Sequence, residues 1–290
     1  MKKTLLYHLY ANDNFENIGI YRLHYECLTY YIKQFDEAIF YVTVDDLNNK
    51  PLVNKLITWV SDICQDVPFN IKVRVNELPY EGKALMTEII EKRQQIEGMV
   101  FFCHTKGNTR VNVNFEELFQ QEMGTIDIKS IIYWVLALYF YGLNFIDEAE
   151  YLLYGGKRPS ELFYGPILTQ LKDPASSPMF RMNKGNCYYQ GTFYWINTEK
   201  FSNYIDKNVI EIPKLDDRYW AEMLPGVVGG RFKYGDGCAS HNDTAINDDF
   251  NLYKMNKYEW ERLIEILGNP NEFWEFHDYI MKKVLEKRDN

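Results

Sequence analysis

Apolar and polar positions fall into blocks along the first hundred residues, and the blocks switch between two periods. Leu5 to Tyr10 and Ala38 to Val44 (AIFYVTV) are short apolar runs rich in branched and aromatic residues, Phe69 to Val75 (FNIKVRV) alternates, and Met99 to Cys103 (MVFFC) is apolar throughout. Runs of this length read as strands. Between them, Ile20 to Gln34, Asn54 to Ile63 and Ala84 to Gln95 repeat apolar residues at three- and four-residue spacing, which gives a helix one buried stripe. Four strands alternating with three helices predict an α/β fold: a doubly wound, mainly parallel sheet flanked by helices.

The pattern then changes. Ile126 to Leu153 reads as mostly helical with a break near Asn144, Gly155 to Pro159 as a loop, and Glu161 to Leu168 as a further strand. Gly191 to Asn197 (GTFYWIN) has strand composition. Arg218 to Met223 begins a short helix that Asp216 or Asp217 can cap. Gly229 to Asp249 is rich in Gly, Asn and Asp and reads as a loop, and two helices, Lys254 to Leu267 and Asn271 to Lys287, follow it. The expected organisation is one domain over residues 1–250, with a helical C-terminal extension over 251–290 packed on it.

Charge narrows the range of ligands. The net charge of −9 argues against nucleic acid as a partner, so an anionic ligand has to be held by a local cluster of positive groups. The aromatic fraction is 16%, with 23 Tyr and 18 Phe, enough to fill a core and also to stack on sugar rings. The five cysteines (Cys27, Cys64, Cys103, Cys187, Cys238) are odd in number and form no C-x-x-C pair, which suits reduced thiols in the cytoplasm rather than a disulfide framework. The start Met1-Lys-Lys-Thr-Leu-Leu-Tyr-His reads as the first strand rather than a signal peptide, because its apolar part is short and contains His8. The greasiest stretch, Ile131 to Leu143, is too short to span a bilayer, so any membrane contact is expected to be peripheral.

Candidate chemistry gathers at few places. Met99 to Gly107 ends in His104-Thr105-Lys106-Gly107: an imidazole, a hydroxyl and an ammonium at a strand's carboxyl end, where α/β sheets bind ligands. Gly107 permits the backbone turn. These groups suit an anionic or polyhydroxylated ligand; a solvated Lys106 and a locally packed His104 account for them equally well. Asp45 and Asp46 end the second strand, where they could simply turn the chain. His241 and Asp243, with Asp236, are weak metal-ligand candidates in a loop that an ordinary surface explains better. Arg218 and Glu222 lie four apart and could pair on a helix.

Three separated segments, Tyr7-His-Leu-Tyr10, His104-Thr-Lys-Gly107, and Gly191-Thr-Phe-Tyr-Trp195 with Arg218-Tyr-Trp-Ala-Glu222, together resemble bacterial polysaccharide glycosyltransferase-like proteins of the GT-A type, similar to rhamnan-synthesis-type proteins. The resemblance covers roughly residues 5 to 226 and implies a GT-A-like mixed sheet. It implies a hexosyltransferase-like enzyme that moves a sugar from a nucleotide-sugar donor to a glycan or lipid-linked glycan acceptor, in capsule, lipopolysaccharide or similar polysaccharide biosynthesis. On this resemblance His8, Asp45, Asp46, His104, Thr105, Lys106 and Gly107 would bind the donor, and Gly191, Thr192, Phe193, Trp195 and Arg218 the acceptor. Glu222, or else Asp217, would be the general base. Many GT-A enzymes hold a divalent cation with Asp-x-Asp after the fourth strand; His104 to Gly107 fills that place here. No cofactor is therefore expected to be required, with Mn or Mg left open. The alternative is a non-catalytic glycan- or nucleotide-binding protein that keeps the fold. Oligomeric state, donor and acceptor are not readable from the sequence.

Overall fold

A computed structural model describes residues 1–76, 95–105, 114, 135–136, 138–139, 142–144, 146–155, 161–165, 168–170, 187–189, 192–207 and 231–233, and ten positions of the C-terminal segment between 258 and 282. Its elements are β1 (Lys3–Tyr10), α1 (Gly19–Tyr31), β2 (Glu37–Val44), α2 (Lys50–Cys64), β3 (Phe69–Val75), β4 (Met99–His104), α3 (Ile146–Glu150), β5 (Glu161–Tyr164), β6 (Leu168–Gln170), β7 (Cys187–Tyr189), β8 (Tyr194–Asn197), α4 (Thr198–Lys207) and β9 (Arg231–Lys233). Among the described residues, nine strands form a seven-stranded sheet in the order β3-β2-β1-β4-β8-β5-β9 and a separate β6-β7 pair. β1, β2, β3 and β4 are mutually parallel, β8 runs antiparallel to both β4 and β5, and β9 is parallel to β5. The protein is thus an α/β structure built on a mixed, mostly parallel sheet.

The pairing explains the apolar runs. β1 and β4 are central and covered on both faces, so every residue of β4 and Thr4 to Leu9 of β1 are buried, as parallel strands require. β3 lies at an edge and keeps only Ile71, Lys72 and Val73 half-buried. α1 buries Ile20, Leu23, His24, Cys27, Leu28 and Tyr31, and α2 buries Leu52, Leu56, Val60 and Ile63, one stripe each at helical spacing. Both stripes join one core with Leu5, Tyr7, Leu9, Phe40, Val42, Phe101 and Trp195. The chain steps β1 to β2 to β3 in one direction, and right-handed crossovers then put both helices on the same face. Ile266 and Phe276 of the C-terminal segment are buried in this same core.

Several boundaries differ from the expectation. α2 starts at Lys50 rather than Asn54, because Asn49 accepts a hydrogen bond from the Leu52 N–H at 3.2 Å and Pro51 occupies the first turn. β8 starts at Tyr194 rather than Gly191: Thr192 adopts φ +60°, which takes it out of the strand. The run from Glu161 to Leu168 is not one strand, since β5 stops at Tyr164 and Leu168 begins a strand of the second sheet. β9 lies inside the stretch expected to be loop. The expected break at Asn144 is present as a turn between helical residues.

A seam ties the start of β4 to its neighbours. The Gly98 carbonyl accepts from Thr198 Oγ1 at 2.7 Å, from Tyr154 Oη at 2.7 Å and from the Thr198 N–H at 3.2 Å. Gly98 sits at φ +81°, and a Cβ there would lie 2.2 Å from the Lys2 carbonyl oxygen, so only glycine fits. Cys27, Cys64 and Cys103 are buried and unpaired. Burial pushes the Cys103 thiol well up and Cys64 up to about 12, which removes them as nucleophiles. No helix among the described residues is long and apolar enough to cross a membrane.

Candidate functional site

Strand order singles out one place. β1 is flanked by β2 on one side and by β4 on the other, so the chain reverses its direction of travel across the sheet between β1 and β4. Loops leaving the carboxyl ends of two such strands diverge and leave a crevice, the usual ligand site of an open α/β sheet. The residues at that switch point are Tyr10 at the end of β1 with Ala11 after it, and His104 at the end of β4 with Thr105 after it.

Register gathers further polar groups beside it. His8 pairs with His104 on one side and with Tyr41 on the other, and Tyr41 pairs with Lys72. In the next row Tyr10 pairs with Thr43, and Thr43 with Arg74. Side chains at paired positions share a sheet face, so two imidazoles, two phenols, a hydroxyl and two cations form a band across the carboxyl end of one face. Lys72 Nζ donates to Tyr41 Oη at 3.0 Å, and the Lys72 and Arg74 cations lie 5.1 Å and 6.0 Å from the Tyr41 ring centre. The two cations stand at the β3 edge, with β2 and β1 between them and β4, and the Asp45 carboxylate sits on Tyr10 of the same band. Sequence reasoning passed over Tyr41, Lys72 and Arg74. The signal was present in FNIKVRV, whose alternation puts Lys72 and Arg74 on one face, but a cationic edge strand is also an ordinary guard against aggregation.

Thr105 is held from three directions. Its N–H donates to the His8 carbonyl at 3.0 Å, its hydroxyl donates to the same carbonyl at 3.3 Å, and Tyr7 Oη donates to Thr105 Oγ1 at 3.3 Å. Thr105 is 2% exposed, and these bonds fix where β4 ends.

His8 and His104 are 6% and 5% exposed. The His8 imidazole lies 3.2 Å from Thr43 Oγ1 through Nε2, and burial lowers its pKa from 6.5 to about 4. At neutral pH it is therefore an uncharged hydrogen-bonding group. The consequence for stability has a definite sign. The unfolded chain binds the His8 proton below about 6.5 and the folded chain only below about 4. Stability from this group is whole above pH 6.5 and is lost as pH falls towards 4, in all about 3 kcal/mol. His8→Gln keeps a polar group for Thr43 and cannot titrate. Between pH 7 and 4 the parent should lose about 3 kcal/mol more than His8→Gln in urea unfolding; equal losses would show that His8 is not the titrating group.

Asp45 and Asp46 are exposed and already engaged. Tyr10 Oη lies 3.2 Å from both Asp45 oxygens, and Asp46 Oδ1 accepts from Asn48 N at 2.8 Å and Asn48 Nδ2 at 3.0 Å, closing a side-chain turn. Asp46 thus shapes the β2–α2 connection, and Asp45 reaches across to β1 beside the crevice. Asn49, the α2 cap, also hydrogen-bonds Asp13, which joins the loops after β1 and β2.

Thr192, Phe193 and Trp195 occupy the interior. Phe193 and Trp195 are fully buried and Thr192 is 4% exposed. Trp195 Nε1 donates to the Gly142 carbonyl at 2.7 Å, and its ring stacks on Phe35 at 5.7 Å and tilts against Phe101 at 4.9 Å. Phe193 packs edge-on to Tyr139 at 5.1 Å. These rings build the core beneath the crevice rather than the surface of an acceptor pocket. Lys106, Gly107, Gly191, Asp217, Arg218, Glu222, His241 and Asp243 lie outside the described residues. Among the described residues no three His, Cys, Asp or Glu side chains are grouped to hold a metal ion.

No protein-family model matches the chain, and no curated protein matches it.

Proposed function

We propose that this protein is a GT-A-like glycosyltransferase that binds a nucleotide-sugar at the crevice between β1 and β4 and transfers the sugar to a surface glycan. The observation that carries the reading is the polar band that starts at the β1/β4 switch point with His8 and His104 and runs through Thr43 to Lys72 and Arg74 at the β3 edge. A mixed sheet with an antiparallel strand beside β4 agrees with the fold that the motifs imply. In this reading Thr105 and Lys106 hold the donor diphosphate, with Gly107 turning the chain around it. Glu222 accepts the proton of the acceptor hydroxyl as its oxygen bonds the sugar's anomeric carbon. The bond from that carbon to the diphosphate breaks, and its electron pair leaves with the nucleoside diphosphate. Lys106 offsets the charge that builds there. The enzyme acts in the cytoplasm, at most touching a membrane through its acceptor.

A second reading, a nucleotide- or glycan-binding protein without transfer chemistry, has one observation in its favour: the segment after β4 is His-Thr-Lys-Gly, not Asp-x-Asp. A panel of nucleotide-sugars, scored by thermal shift and by release of nucleoside diphosphate, separates the two. Shift with release supports the transferase, shift without release the binding protein, and no shift by any nucleotide contradicts both.

Donor binding and transfer should persist in EDTA, because a cationic side chain replaces the acidic pair. A strict manganese requirement, abolished by His241→Ala or Asp243→Ala, would contradict this and make the late loop a metal site.

A further inference from the structure

The loop that leaves β1, residues 11–18, is tied to the β2 side of the sheet. Its backbone carries the β1–β2 pairing one step past the strand, with the Ala11 N–H donating to the Thr43 carbonyl at 3.0 Å. Tyr21 Oη donates to the Tyr10 carbonyl at 2.6 Å and pins the end of β1 from α1. Phe15 is fully buried and packs edge-on against Tyr21 of α1 and Trp59 of α2, at 5.8 Å and 6.4 Å between ring centres. Glu16 pairs with Lys55 of α2 at 2.6 Å, and Asp13 accepts from Asn49 Nδ2. The switch point lies on the other side of β1, towards β4.

Asn49 is the joint of this arrangement. The Leu52 N–H at the start of α2 can only donate, and the Asp13 carboxylate can only accept. One amide answers both: Oδ1 accepts from Leu52 at 3.2 Å and Nδ2 donates to Asp13, so its two partners fix which way it is turned. The Asn49 N–H in turn donates to the Asp46 carbonyl at 3.3 Å, inside the turn that Asp46 closes on Asn48. Aspartate caps a helix as well as asparagine, but it has no donor and would set a second carboxylate against Asp13.

We propose that Asn49 is a positioning residue for the nucleotide site: with one end on α2 and the other on Asp13, it clasps the loop after β1 against the start of α2 and so fixes the β1 wall of the crevice before a ligand arrives. The clasp stands on geometry alone; its use for a nucleotide rests on the donor-site reading above. A wall already in place spares the ligand the cost of ordering it. With the clasp broken, only the molecules whose loop is in place bind at full strength, and apparent affinity falls by that fraction. The fall can be no larger than the worth of the clasp, roughly 2- to 10-fold for one hydrogen bond.

Exchanging the two side chains tests the clasp without removing the cap. Asn49→Asp keeps an acceptor for Leu52 and loses the donor for Asp13. Asp13→Asn alone keeps the bond, because an amide oxygen can accept from Asn49 Nδ2. In the double variant the bond is rebuilt in reverse, the amide at position 13 donating to the carboxylate at position 49. Urea unfolding of the four full-length proteins should therefore show a lower midpoint for Asn49→Asp alone and a restored one for the double variant. Effects that simply add across the four proteins would mean that the two side chains do not interact, and would overturn the clasp.

Isothermal titration of UDP and GDP into the same four proteins tests the positioning role. Asn49→Asp should bind the parent's nucleotide roughly 2- to 10-fold more weakly, whereas Asp13→Asn and the double variant should bind it as the parent does. Charge alone would instead weaken Asn49→Asp, strengthen Asp13→Asn by as much and leave the double variant unchanged; those additive changes overturn the role. Equal affinity in all four proteins, beside a clasp that couples in urea, also overturns it, and the donor site then stands without Asn49. A parent that binds neither nucleotide overturns the donor-site reading and the role together, while the urea result still decides the clasp.

Discussion

Trp195→Ala should destabilise the fold by about 3–5 kcal/mol, the range for emptying a buried aromatic site. The ring is fully enclosed, touches Phe35 and Phe101, and donates its indole N–H to the Gly142 carbonyl. The helix backbone passes close enough that a Cβ on Gly142 would lie 2.6 Å from the Phe101 ring, so the wall beside Trp195 has little freedom to collapse into the vacated space. Domains are typically stable by about 5–15 kcal/mol, and the loss is therefore a large share of the total. Trp195→Phe keeps part of the ring volume and forfeits the hydrogen bond, so it should cost less. Urea midpoints at unchanged slope measure both. A Trp195→Ala protein of normal stability that had lost only acceptor affinity would put the ring back in a binding pocket.

The largest effect on turnover is expected at Glu222. A general base contributes about 10²–10⁴-fold to rate. Glu222→Gln keeps the shape and removes the proton acceptor, so transfer should fall by that order while donor binding survives. If Glu222 merely pairs with Arg218 on a helix surface, the loss would be a few tenths of a kcal/mol of stability and the rate would stay near normal. Asp217→Asn is the paired control, because a helix-cap change lowers stability before turnover. A folded Asp217→Asn protein without transfer, beside an active Glu222→Gln protein, would reassign the base to Asp217.

Much of the framework was legible because its causes are local. β1, β2 and β4 are central parallel strands and therefore apolar runs, and α1 carries its stripe at helical spacing. The α2 start was also written locally, in Asn49 and Pro51, and was missed because the apolar period begins only at Leu52. Other features have no local cause. β9 is three residues long and owes its existence to pairing with β5, and Thr192 leaves the strand through a backbone angle its composition does not announce. The site divides in the same way. His104 and Thr105 were readable as the polar end of an apolar run. The buried hydrogen bonds beneath them were not, since Tyr7 and Thr105 lie 98 residues apart and His24 and Tyr139 lie 115 apart. Each of the four, read alone, resembles an ordinary core residue. The aromatic segment at 193–195 misled for the opposite reason: its composition fits a sugar platform and a core strand equally, and only burial distinguishes them.

A nucleoside-diphosphate site at the carboxyl ends of β1 and β4 is tested by titration calorimetry of UDP and GDP into the parent and Lys106→Ala. The parent is expected to bind at least one of the two. Lys106→Ala, equally stable, should bind that nucleotide more weakly by about 1.5–3 kcal/mol, the worth of one charge-assisted hydrogen bond. Affinity unchanged by Lys106→Ala, or no binding by the parent, would contradict it.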